Sequence, residues 1–265
     1  MDHVTIDGLS VAYRTAGTGR PLVLLHGGIS DGREWRPQME ELSNDFFVVA
    51  WDAPGCGGSS DPPESFRLGD YAECLAGFVR ALNLDQPHVL GLSFGAGLAL
   101  ALYERYPSLP VSLTLASAYA GWAGSLSAEE VQQRLHAALR DADKPPRQLV
   151  SDLLPTLFTG KVSREVLDQV TTTMSEFHPA GVRAMVRSFA EADLRQMLPH
   201  VTVPTLLLYG DRDVRAPRAV ADKLHAGIPH SRLVFIPGVG HQSNLEAPAR
   251  FNAEVRGFLR TVDER

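Results

Sequence analysis

Apolar positions along the chain gather into short, near-continuous runs at residues 22–25, 46–51, 88–92, 111–115, 206–209 and 233–236, each with the length of a β-strand. Continuous rather than alternating runs belong to strands covered on both faces, and most of these are followed by a helical pattern before the next begins. The fold class this predicts is α/β: a mostly parallel twisted sheet with helices on both faces. Ahead of the first run, Thr5-Ile6-Asp7-Gly8 and Val11-Ala12-Tyr13-Arg14 predict a short antiparallel hairpin turning at Asp7-Gly8.

The rhythm changes between residues 121 and 196. No strand-like run occurs there, and apolar residues take helical spacing: Val131, Leu135, Leu139; Leu149, Leu153, Leu157; Val166, Val170, Met174, Phe177; Val182, Met185, Phe189. Pro145-Pro146 and Pro179-Ala180-Gly181 punctuate the stretch, which predicts about four helices and is far longer than an ordinary strand-to-strand connection. The expected organisation is a core of residues 1–120 and 197–265 with a helical cap, 121–196, inserted over one end of the sheet.

Composition narrows the function. The chain has 265 residues, 44% hydrophobic and 21% charged, enough to bury a large core. Its 25 Lys and Arg against 31 Asp and Glu give a net charge of -6 with no basic run, which argues against a nucleic-acid partner. Cys56 and Cys74 are too few for a disulfide framework and lack zinc-site spacing, so reduced thiols and a cytoplasmic location are expected. The opening Met1-Asp2-His3 lacks the basic region of a secretory signal, and no apolar window is long enough to span a membrane, so no membrane partner is expected either.

The strongest chemical signal is Gly91-Leu92-Ser93-Phe94-Gly95, set directly after a strand-like run and before a helical one. A serine at such a corner has a strained backbone and an outward hydroxyl, and the flanking glycines remove side chains that would clash. As an isolated pentapeptide it would also suit a turn that only packs helix on strand; the context favours the nucleophile. A base is then required, and a group to fix its tautomer. His241, in the loop Pro237-Gly238-Val239-Gly240-His241 after a strand, can reach over the sheet's C-terminal edge. His88, His225 and His230 read as structural or solvated, while His136 and His178 belong to the helical stretch, where His178 is a candidate pocket residue. For the acid, Asp211 and Asp213 both follow the run at 206–209. Asp213 lies far enough past the strand to turn back over the edge and is preferred, with Asp211 capping or pairing with Arg212 or Arg215.

The chain resembles the α/β-hydrolases with a helical cap. The resemblance covers residues 20–260 and rests on the elbow, His26-Gly27-Gly28, the segment from Asp52 to Ser59, Gly210 to Pro217, and Gly240-His241 followed by Asn244, Glu246 and Pro248. It implies an oxyanion hole at the backbone amides of Gly28 and Phe94, with His26 structural and Asp52 organising its loop. Ala96 stands where many members have a second glycine, and serine at the nucleophile position sets the chain apart from haloalkane dehalogenases and related epoxide hydrolases. The expected activity is hydrolysis of a carboxylic ester or lactone of a small, mainly apolar substrate by Ser93, His241 and Asp213, without cofactor or metal, in a monomer or homodimer. Trp122, Phe158, Phe177 and Phe189 are the candidate apolar pocket residues. The same triad would also serve a C–C bond hydrolase, a cofactor-free perhydrolase, an amide-cleaving enzyme or a slow-turnover small-molecule receptor.

Overall fold

Asp7 and Gly8 both take positive φ, 49° and 85°, the backbone of a two-residue hairpin turn, and join β1 (Asp2–Ile6) to β2 (Leu9–Ala16). The computed structural model describes residues 1–160 and 162–264. Beyond the hairpin come β3 (Pro21–Leu25), β4 (Phe47–Trp51), β5 (His88–Leu92), β6 (Ser112–Ala116), β7 (Thr205–Gly210) and β8 (Arg232–Ile236). All eight form one sheet in the order β1-β2-β4-β3-β5-β6-β7-β8, antiparallel through β4 and parallel from there on.

Every residue of β5, β6 and β7 is buried, so their apolar runs are continuous. Alternate residues feed two cores. Val23, Leu25, Val49, Trp51, Leu113 and Leu207 pack on one face against α2 (Leu68–Ala81), α3 (Phe94–Arg105) and α8 (Arg218–Gly227). Leu22, Leu24, Val48, Ala50, Leu90 and Leu206 pack on the other against α1 (Arg36–Leu42) and α10 (Pro248–Asp263). The short α9 (Ser243–Glu246) precedes α10.

Between β6 and β7 lie α4 (Ala128–Asp141), α5 (Pro146–Leu157), α6 (Arg164–Ser175) and α7 (Pro179–Glu191). A capping box of Ser127 and Glu130 starts α4, and Pro146 and Pro179, at first helical positions, start α5 and α7. Glycines seat α7 against the core. A Cβ on Gly181 would overlap the backbone of Gly55, and one on Gly97 in α3 would overlap the ring of Phe189. No helix among the described residues is long and apolar enough to cross a membrane.

Candidate active site

The chain leaves β5 at Leu92 and enters α3 at Phe94, so Ser93 alone turns the corner, at φ 53° and ψ -109°. An L-residue held at positive φ costs about 1–3 kcal/mol, which the buried strand and helix on either side impose. The glycines are sterically required: a Cβ on Gly91 would overlap the Gly95 carbonyl, and one on Gly95 the Leu25 carbonyl. The Ser93 amide donates to the Ala116 carbonyl at 2.8 Å, tying the corner to β6. The Phe94 amide, at the first position of α3, has no intrahelical acceptor and is left for a ligand.

Asp213 and His241 come from the loops after β7 and β8. His241 is buried, and its Nδ1–H donates to Asp213 at 2.9 Å (Oδ2) and 3.1 Å (Oδ1). An ionised carboxylate only accepts, so the proton sits on Nδ1 and the Nε2 lone pair faces away from the acid. The Arg215 and Ala216 amides each donate to Asp213 Oδ1 at 2.8 Å. Burial by itself would raise the Asp213 pKa; His241 and the Ala216 amide outweigh it and hold the carboxyl below its ordinary value. Ser117, itself at φ 46°, donates its hydroxyl to the His241 carbonyl at 3.0 Å.

Asp211 serves the neighbouring backbone. It accepts from the Gly238 amide at 2.6 Å, bracing the loop that carries His241, and lies 3.9 Å from Arg212. Arg215 instead donates to the Thr156 hydroxyl at 3.0 Å. Glu246 braces the loop from the other side, accepting from the Gly240 amide at 2.6 Å and the Thr159 amide at 2.8 Å.

The loop after β3 is equally constrained. His26 donates from Nδ1 to the Gly27 carbonyl at 2.7 Å and accepts at Nε2 from the Ala53 amide at 2.9 Å, which fixes a neutral ring; burial also lowers its pKa. Asp52 accepts from Arg14, Gly32 and Gly58 at 2.8–2.9 Å. Ile29 sits at φ 55°, a rare conformation for a β-branched residue, directly after Gly28. Glu34, which no motif singles out, accepts from the Gly27 amide at 3.2 Å and from Gln242 Nε2 at 3.3 Å. It thus links the Gly28 loop to the residue after His241, and burial pushes its carboxyl up to about 7.

Ser93, His241, Gly28 and Phe94 all line one cavity of about 900 Å³, its mouth included. Trp122 and Phe189 line it as expected. Phe158, Phe177 and His178 do not, which corrects the sequence reading. Phe158 follows α5 and packs into a small cluster with Val150, Leu157, Val170, Met174 and Leu245. Phe177 and His178, between α6 and α7, border a separate crevice, and His178 Nδ1 pairs with Asp61 at 2.8 Å. Aliphatic residues take their place, chiefly Val182, Met185 and Val186 on α7 with Leu153 and Leu157 on α5. Arg134, Arg215 and Asp141 also reach the wall. The α7 set was legible as the apolar face shared by Phe189; nothing in the sequence marks the two arginines.

Comparison with known proteins agrees with this architecture. The AB hydrolase superfamily protein YisY of Bacillus subtilis is 29% identical, over 97% of this chain and 96% of its own. A thermophilic esterase from Thermogutta terrifontis, solved with malate bound, superposes with a TM-score of 0.90 at 29% identity over 99% of both chains. An enol-lactonase from Burkholderia xenovorans superposes at 0.89 with 26% identity, over 98% of this chain and all of that one. The family model of the α/β hydrolase fold matches residues 20–248, and the chain belongs to that family.

Proposed function

We propose that the protein is a serine hydrolase that cleaves carboxylic esters, lactones included, through Ser93, His241 and Asp213. The observation that carries this reading is the convergence on one cavity of a serine at a strained corner, a histidine whose Nδ1 is held by a buried carboxylate, and the amides of Gly28 and Phe94. Ser93 Oγ attacks the carbonyl carbon while its proton passes to His241 Nε2. The carbonyl π pair moves to oxygen, where the Gly28 and Phe94 N–H groups stabilise the oxyanion. Collapse breaks the C–O bond to the leaving alcohol, which takes the proton from His241. A water then gives its proton to His241 and attacks the acyl-enzyme, releasing the acid and returning the proton to Ser93. Asp213 holds the imidazolium in both halves.

In the same reading residues 121–196 form a cap on the core of 1–120 and 197–265 and select the substrate, because α5 and α7 supply the cavity's apolar walls while the reacting groups come from the sheet edge. The mainly apolar lining suits a small substrate with an apolar acyl or alkoxy group. The experiment is 4-nitrophenyl butyrate hydrolysis by the wild type, Ser93→Ala and Ser93→Ala/His241→Ala. Groups acting as a unit lose activity non-additively, so the single and double variants should be equally inactive, and the wild type should show a burst of nitrophenol. Retained turnover in Ser93→Ala would overturn the reading.

A further inference from the structure

The arginines of this protein generally find acids. Arg256 pairs with Glu41 and Asp45, Arg33 with Asp31 and Glu176, and Arg232 with Glu254, all at 2.6–2.9 Å. Arg134 and Arg215 differ: both line the cavity that holds Ser93 and His241, and among the described residues their guanidinium groups meet only neutral oxygens. Arg134 donates to the Tyr119 hydroxyl at 2.9 Å and to the Arg215 carbonyl at 3.2 and 3.3 Å, with its guanidinium carbon 5.6 Å from the Tyr119 ring centroid. Arg215 Nη1 donates to the Thr156 hydroxyl. The nearby acids are already engaged: Asp141, on the same wall, is paired with Lys144 at 2.7 Å, and Asp213 with His241 at 2.9 Å.

Elementary electrostatics makes this arrangement costly without a ligand. Two like charges share a partly buried wall, and burial is the main cause drawing the Arg215 pKa below its ordinary value. A guanidinium carries five donors, and among the described residues the hydrogen bonds of Arg215 use one of its side-chain nitrogens, leaving Nε and Nη2 for an incoming acceptor. The wall is therefore locally positive in a chain whose net charge is -6. A planar carboxylate matches a guanidinium edge, two N–H donors meeting its two oxygens.

We infer that the Arg134–Arg215 wall of the cavity is a carboxylate subsite, so that the preferred substrates are esters or lactones carrying a free carboxylate remote from the scissile carbonyl. The inference deepens the esterase reading and rests on it for the word substrate, though not for binding. A purely mechanical role also suits these contacts, because Arg134 comes from α4 and Thr156 from α5 while Arg215 belongs to the loop after β7. That role would not depend on the charge of the substrate.

The test compares mono-4-nitrophenyl adipate with its methyl ester, which differ only in the free carboxylate. Wild-type kcat/KM should favour the acid, and the preference should shrink as salt is raised. Arg134→Met and Arg215→Met should each lower kcat/KM for the acid about ten- to a hundredfold more than for the methyl ester, mostly through KM. Arg215→Lys, which keeps the charge, should retain much of the preference. Equal rates on the two esters in the wild type, or equal losses on both in the variants, would overturn the subsite and leave the esterase intact. A second readout is independent of turnover: calorimetric binding of hexanoate against hexanamide to Ser93→Ala, with and without Arg215→Met. A hexanoate preference that disappears with Arg215→Met supports the subsite even if neither ester is hydrolysed, and no preference refutes it.

Discussion

Glu34 offers a stability measurement that tests how tightly the loops around Ser93 are built. The side chain is 3% exposed, and its carboxyl is pushed up to about 7 from an ordinary 4.5, chiefly by burial. Between those two values the folded protein keeps a proton that the unfolded chain has released. Stability therefore falls as pH rises through this window, is unpenalised below about 4.5, and carries the full cost above about 7. At about 1.4 kcal/mol per pH unit the gap corresponds to about 3 kcal/mol. Glu34→Gln removes the ionisation while keeping an oxygen for the Gly27 amide. Gln242, whose Oε1 is buried without a hydrogen-bond donor, can turn that oxygen toward the new amide. Urea denaturation of both proteins from pH 4.5 to 8 should show the variant gaining on the wild type with rising pH, by up to about 3 kcal/mol. Taking the difference cancels the other titrating groups. A difference that stays flat across the window would mean that burial does not raise the Glu34 carboxyl.

The two aspartates after β7 should separate sharply: Asp213→Asn should lower kcat about 10⁴-fold by favouring the wrong His241 tautomer, whereas Asp211→Asn should cost under about tenfold because Asp211 braces backbone at Gly238. Phe189 packs edge-on against Phe94, Tyr119 and Trp122, so Phe189→Ala should lose about 3–5 kcal/mol of stability in denaturant titrations. Trp122→Ala should alter kcat/KM for longer-chain esters by about 10–200-fold and for acetate far less, while Phe158→Ala, whose ring packs outside the cavity, should lower the melting temperature without changing that selectivity.

The sheet was legible because its central strands are buried on both faces, which writes them as unbroken apolar runs, and because Asp7-Gly8 is one of few pairs that tolerate two positive φ values. The elbow was legible for a steric reason, since no other residue fits at Gly91 or Gly95. The pocket lining is less legible. Helical spacing identifies an apolar face but not what it faces, so in sequence Phe158 and Phe177 are equivalent to Phe189, and the aliphatic residues of α7 that share its face carry no mark of the cavity. Nothing near His178 in sequence marks its partner, Asp61, which is 117 positions away. Glu34, Arg134 and Arg215 carry charge, and a charge in sequence reads as solvated surface until a fold is seen to enclose it.

If Ser93 is an activated nucleophile, covalent labelling should single it out. The protein is incubated with a 4-nitrophenyl alkylphosphonate, and the adduct is located by mass spectrometry of its tryptic peptides. Only a serine with a base beside it attacks phosphorus readily. A single adduct should form, on Ser93, much more slowly in His241→Ala and not at all in Ser93→Ala. An adduct on another residue, or undiminished labelling of Ser93→Ala, would contradict the assignment of Ser93 as the nucleophile.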